Sequence, residues 1–391
     1  MTKLIEIAQL NPKIEKSNLD ESSIASFVPM AAVSEITGSV IWEEEREIEK
    51  VLKGFTYFQS NDILVAKITP CFENGKIALA SVKNKHGFGS TEFHVIRCNQ
   101  EKVDTRYLFH YLRQPKIRIE GEKRMTGSGG QRRVPKAFLE DLDIPLPPLP
   151  EQRRIAAILD KAEALRAKRR EAIAKLDQLL QSVFLEMFGD PVTNNKNWRE
   201  DKLLGDVADI CSGITKGRKT TSETKLIPYL AVANVQDKFL KVDVVKEIEA
   251  TEDEIEKYKL KKHDLLLTEG GDPDKLGRGS LWHDEIPLCI HQNHVFRVRL
   301  NNKEINPIYL NWLVGSYRGK RYFLSVAKQT TGIASINLGQ LKKFPLLIPP
   351  LDLQEKFAKI EEAVREKYML EQKISLEKID ALIGSIQASY F

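Results

Sequence analysis

The sequence predicts an α+β chain built as two tandem mixed α/β domains, each followed by a long helix. Two observations carry that expectation. The chain repeats itself about 200 residues on: Leu4, Ile7, Ala8 and Leu10 return as Leu204, Val207, Ala208 and Ile210, and Asp62-Ile63-Leu64 returns as Asp264-Leu265-Leu266. Gly75-Lys76 matches Gly277-Arg278, His94 to Arg97 matches His294 to Arg297, and Tyr107-Leu108 matches Tyr309-Leu310. Each copy then closes on a proline-rich stretch that runs into a charged segment with apolar residues at steps of three and four.

Within each domain the pattern is one of short strands, loops and a few helices. Residues 62–68, 76–80 and 92–97 are apolar or alternating runs bounded by turn residues, which predicts strands, while 105–113 and 307–314 have helical spacing. The halves differ most at loops, 69–76 against 269–278. A shared framework with unlike loops points to two readers of different targets. Thr126-Gly127 and Thr331-Gly332 precede the proline stretches.

The proline stretches predict where helix begins. Proline fixes φ and withdraws a donor, so Pro145, Pro147 and Pro148, and again Pro345, Pro349 and Pro350, belong to neither helix interior nor central strand. In the first copy Pro150 suits the first helical position with Glu151 at the positive end of the dipole; in the second, Asp352 as N-cap with Glu355 resembles a capping box. Pro147 aligns with Pro349, Gln152 with Gln354, Ile155 with Phe357 and Ile158 with Ile360. After one inserted residue Lys175 aligns with Lys378 and Phe188 with Phe391. Ile155, Ile158, Ala162 and Leu165, then Ala172, Leu176, Leu179 and Val183, form a coiled-coil seam, and as straight helix Glu151 to Phe188 would span about 57 Å. Gly189 and Pro191 supply its stop. The second helix has Phe357, Ile360 and Val364, then Leu376, Ile379, Ile383 and Ile386, with a phase break between. Arg166, Lys168, Arg169 and Arg170 read most simply as a solvated face, with a position over phosphates as the second reading.

Composition excludes several classes. At 391 residues the chain is too long for one core, and 42% hydrophobic with 29% charged residues describes an ordinary soluble protein. No apolar run reaches the ~18 residues of a membrane span, and the amino-terminal Met1-Thr2-Lys3-Leu4-Ile5-Glu6 carries an acid where a signal peptide is apolar, so a cytoplasmic protein is expected. Cys71, Cys98, Cys211 and Cys289 are too scattered for a disulfide framework or a zinc ribbon. The net charge of +5 permits an anionic partner without requiring one. His291 and His294 form an H-x-x-H without an acidic ligand at metal spacing, and Glu73 with Lys76 lacks the spacing of a nuclease pair. No motif for base methylation or nucleotide binding is present, so a non-catalytic chain without metal is expected.

At Ile144-Pro145-Leu146-Pro147-Pro148-Leu149-Pro150-Glu151-Gln152, its degenerate copy from Ile348 to Gln354, Thr126-Gly127, the strand from Asp62 to Pro70, and Leu267 to Pro273, the chain resembles the specificity (S) subunit of type I restriction-modification enzymes over essentially its whole length. The resemblance implies a pseudo-two-fold α+β fold: target-recognition domain 1 (1–144), a central conserved helix (145–190), target-recognition domain 2 (191–344) and a C-terminal conserved helix (345–391). The two long helices would form an antiparallel coiled coil holding the domains apart. It implies double-stranded DNA as partner, each domain reading one half of a split target. It also implies docking of two modification (M) subunits that carry S-adenosylmethionine and methylate adenine at N6, and of restriction (R) subunits with ATP and Mg2+. No cofactor is expected in this chain. Pro147, Pro148, Gln152, Pro349, Pro350 and Gln354 are the implied partner-docking positions; the second stretch is eroded, with Leu353-Gln354 against Glu151-Gln152.

For DNA reading, Gln131, Arg132, Arg133 and Lys136, with Arg124 just upstream, combine base-reading amide and guanidinium groups with glycines that let backbone approach a phosphate. The counterpart segment offers Lys328, Gln329, Thr330, Ser335 and Asn337. A solvated glycine-rich turn is the plain alternative for both. Lys67, Thr69, Asn74 and Lys76, and Asp272, Lys275 and Arg278, are further candidates that read equally as turn chemistry. The competing functional class is a two-domain coiled-coil scaffold that binds proteins; a steep loss of affinity with salt separates the two.

Overall fold

The computed structural model describes residues 1–14, 22–128, 130–330 and 332–391, with the side chains of Asp274, Thr330 and Lys367 outside the description. Its contacts divide the chain into two compact units, Met1–Ala172 with Gln372–Phe391, and Ile173–Glu371.

In the first unit the apolar run after Asp62 forms the strand Ile63–Ala66, buried along its length because it lies inside a four-stranded sheet. Its order is Ala8–Leu10, Phe93–Cys98, Ile63–Ala66, Ile77–Leu79, all antiparallel. A second sheet runs Glu44–Glu47, Ile24–Val28, Gly87–Gly89, Thr56–Phe58, with its central pair parallel. The expected helix is present as Thr105–Leu112, and Tyr107, Leu108 and Leu112 join Ile155, Leu159 and Ala162 of the long helix in one core. Asp62 has a tertiary purpose: buried, it accepts from Arg97 Nε at 2.9 Å and Nη2 at 2.7 Å, and from Gln59 N at 2.8 Å.

The second unit repeats this framework. Ala208–Ser212, Val295–Leu300, Leu265–Thr268 and Gly279–Leu281 form the matching antiparallel sheet, and Asp264 takes a fork from Arg299 at 2.7 and 2.6 Å. A three-stranded sheet orders Lys246–Ala250, Lys225–Leu230 and Ile290–His291. The helix Pro307–Val314 delivers Tyr309 and Trp312 to Phe184, Phe188 and Phe357, with ring centroids 4.7–5.9 Å apart. Aromatic density of this kind makes a truncation at Phe184 expensive, about 3–5 kcal/mol.

The long helix runs unbroken over Leu149–Phe188 and stops at Gly189, whose φ of 76° only glycine adopts freely. The last helical stretch comprises Leu351–Ala363, a π-helical turn Val364–Met369, and Leu370–Tyr390. The phase break therefore has a structural form: a π turn takes up one extra residue, which is the single insertion between the two copies. The helix start differs from the expected capping box. Leu351 is already helical, Pro350 is the N-cap without a side-chain bond, and Asp352 lies inside the first turn. Both copies use the same device, a proline carbonyl: Pro148 O accepts from Glu151 and Gln152, and Pro350 O from Leu353 and Gln354. Within the first unit the helical segments run antiparallel, with Arg154 to Tyr390 at 2.8 Å, Arg166 to Asp380 at 2.7 Å and Arg169 to Gln372 at 2.9 Å. Arg166 and Arg169 thus belong to the helix contact. Within the second unit the end of one helix, Phe184 and Phe188, meets the start of the other at Phe357.

Candidate nucleic-acid interface

In the first unit, backbone bonds bring the loop after Ile63–Ala66 against the glycine-containing segment. Thr69 N donates to Arg132 O at 3.0 Å, Val134 N to Lys67 O at 2.8 Å and Lys67 N to Glu92 O at 2.9 Å. Bridges join Ile68 and Thr126 to Arg133. Lys67, Thr69, Gln131, Arg132 and Arg133 therefore share one surface. Gly127, with φ 119°, is required there, since a Cβ would come 2.8 Å from Gln131 O. Gly129 lies outside the described residues.

Both arginines of this surface face carboxylates. Arg133 forks onto Glu92 at 3.0 and 2.9 Å, and that hydrogen bond keeps the Glu92 carboxyl below its ordinary pKa. Thr69 Oγ1 donates to Glu73 Oε1 at 2.7 Å, which Arg132 Nη2 approaches at 3.5 Å. Glu73 Oε2 is buried with no hydrogen-bond partner among the described residues. No local signal marks Glu92, because its contact with Arg133 joins residues 41 apart in sequence. Lys136 pairs with Glu140 at 2.6 Å and Arg124 sits 5.6 Å over the Phe138 ring. Asn74 and Lys76 are drawn elsewhere: Lys76 Nζ donates to Met30 O at 3.3 Å and lies 3.8 Å from Glu35, while Asn74 lines a cavity.

In the second unit the equivalent surface is a small sheet, Gly270–Gly271 against Ile333–Ser335 against Lys328–Thr330. Lys328 and Gln329 are exposed on it, and Ser335 pairs with both Gly270 and Lys328. Thr331 and the Thr330 side chain lie outside the described residues. Asp272 and Lys275 form an ion pair across the turn Pro273–Lys275, and Arg278 reaches Gln236 at 3.3 Å. Asn337 caps the helix Leu338–Lys342, its side chain accepting from Gln340 N at 2.9 Å, so its oxygen has a structural duty. His294 Nδ1 lies 2.5 Å from Glu269 Oε2 at the edge of this sheet. His291 is apart from it, fully buried, with Nδ1 donating to Val295 O at 2.7 Å.

Gln152 and Gln354, implied as docking positions, are interior residues. Gln152 accepts from Asp104 N at 2.8 Å and donates to Pro147 O at 2.8 Å and Lys102 O at 3.2 Å. Gln354 does the same with Asn306 N at 2.9 Å, Pro349 O at 2.8 Å and Glu304 O at 3.0 Å. A buried primary amide satisfied on three sides ties helix start to domain, and has no surface left to present. Pro349 is buried too; Pro148 and Pro350 are exposed and Pro147 half-buried.

Each unit thus bears a loop surface of charged and amide side chains on the same α+β framework, joined to a long helix. The chain belongs to the family described as type I restriction modification DNA specificity domain, which matches residues 1–175 and again 195–379. It is 48% identical over 159 residues to the EcoAI specificity subunit of Escherichia coli, covering 39% of this chain and 26% of that protein; the match thus spans about a quarter of that relative's length. To a putative type I specificity subunit of Haemophilus influenzae it is 25% identical over 366 residues, 89% of this chain and 86% of the relative. Among solved structures, the type I restriction-modification S subunit from M. genitalium superposes with a TM-score of 0.52 at 16% identity, covering 100% of this chain and 95% of that one. A chain from a type I R-M system studied for complex assembly and conformational transition gives 0.52 at 20% identity, with 100% and 96% covered. Those likenesses concern the fold.

Proposed function

We propose that this chain is the non-catalytic, sequence-reading subunit of a type I restriction-modification assembly in the cytoplasm, and that each of its two units reads one half of a split duplex target. The observation that carries this reading is the repeated framework with unlike polar loops at the same place: Lys67, Thr69, Gln131, Arg132 and Arg133 in one unit, Lys328, Gln329 and Ser335 in the other. Amide and guanidinium groups match adenine and guanine edges, and lysine matches phosphate. Two modification subunits carrying S-adenosylmethionine dock on the helical segments and methylate adenine, and restriction subunits add ATP- and Mg2+-dependent cleavage.

The carboxylates within these surfaces refine the reading. On binding, Arg133 exchanges its fork onto Glu92 for one onto phosphate or a guanine edge. The test is an exchange of residues 1–144 for those of another family member, read by sequencing methylated DNA. One half of the methylated motif is expected to change and the other to persist. A change in both halves, or binding to duplex DNA that is insensitive to salt, rejects the reading in favour of a protein-binding scaffold.

A further inference from the structure

The first unit contains a cavity of about 440 Å³ where its domain meets its own helical segments. Val65, Phe72, Ile77, Leu112, Ile117 and Ile383 give it an apolar floor, and Gly384 leaves room on the helix side. Its rim is cationic. Arg113, Arg118, Arg166 and Arg170 line it against Glu35, Glu163 and Asp380. All three carboxylates already have cations: Glu163 faces Arg166 at 3.4 Å and Arg113 at 3.8 Å, Asp380 takes Arg166 at 2.7 Å, and Glu35 lies 3.8 Å from Lys76. Among the described residues no carboxylate pairs with Arg118 or Arg170. Burial, outweighing Glu163 opposite and joined by Arg166 and Arg170 nearby, holds Arg113 below the ordinary arginine range.

The second unit carries other side chains at the equivalent positions. Trp312 stands where the first unit has His110, Gln181 where it has Gly384, and Phe184 where it has Gln387. Lys238 stands where it has Gly38 and places its ammonium 3.7 Å from the Trp312 ring centroid; burial holds its pKa below the ordinary lysine value despite Asp237 and Asp177. One copy has bulky side chains and a built-in cation there. The other keeps small residues, an apolar floor and two arginines to spare.

We propose that the first unit carries a binding site for a small amphipathic organic anion, a phosphate or carboxylate on an aryl or branched alkyl body. Arg118 and Arg170 hold the anionic head at the rim, and Val65, Phe72, Ile117 and Ile383 take the apolar body. This site is independent of the DNA-reading surface and stands or falls separately from it.

The test is calorimetric titration of the full chain with naphthyl phosphate, using inorganic phosphate as control. One equivalent is expected to bind, more tightly than inorganic phosphate. Gly384→Gln, the second unit's own residue, meets nothing within 4 Å at its Cβ and improves helix propensity, so the chain keeps its fold while the cavity fills; binding is expected to vanish. Arg170→Ala is expected to weaken binding about tenfold through loss of a charge-assisted contact. No binding at millimolar probe, unchanged binding in Gly384→Gln, or inorganic phosphate binding as tightly as naphthyl phosphate overturns the proposal.

Discussion

Gln152 and Gln354 show how much one side chain decides here. Each closes three hydrogen bonds between a helix start and its domain from a fully desolvated position. Gln354→Leu strands a backbone N–H and two carbonyls, so a loss of about 3 kcal/mol is expected in urea unfolding; Glu355→Ala beside it should change stability by less than ~0.5 kcal/mol. His291 gives a pH prediction. Burial holds its pKa down at about 4, with Nδ1–H committed to Val295 O. The unfolded chain takes up a proton near pH ~6.5 while the folded chain does not until far lower, so stability falls as pH drops through that window, by up to about 1.4 kcal/mol per unit. His291→Asn should flatten that slope in unfolding midpoints measured between about pH 7 and pH 5.

At the scale of elements, the π turn Val364–Met369 reconciles two apolar faces that one inserted residue would otherwise put out of phase. Deleting exposed Glu366 lets the helix continue as regular α with Phe357 and Ile383 both still inward, and a melting shift of only a few degrees is expected. Deleting Ala381 instead rotates Ile383 and Ile386 out of their core, for a loss of about 3 kcal/mol or more in chemical unfolding. The phase break and the second helix's apolar face were legible from sequence, while the seam of the first was so only in part: Leu165 and Leu179 stand half exposed, and Leu159, Leu180 and Phe184 are buried in their place. The capping device was not: Asp352 and Glu355 fit a capping box by type, yet proline carbonyls do the work in both copies. Side-chain caps are visible in a sequence and backbone caps are not.

For the whole molecule, the duplication means that changes in one loop surface should stay in one half of the target. Gln131→Ala is expected to relax base preference in a single half-site, and Lys328→Ala to weaken binding across sequences and lower the salt slope by about one. Quantitative binding to randomised duplexes at several salt concentrations checks both. Loss of preference in both half-sites from Gln131→Ala would contradict separate readers.

The sequence by itself determined the two-fold repetition, the strands after Asp62 and Asp264, the long helix and its stop at Gly189, because periodicity, proline and glycine act over a few residues. It also marked the loops that form the candidate surfaces. Tertiary structure alone decided which candidates meet: Thr69 with Arg132, Arg133 with Glu92, and Gln152 turned inward while Pro148 stays exposed. Those choices depend on contacts between residues tens of positions apart, and residue type alone carries no record of the partner a folded chain will bring to it.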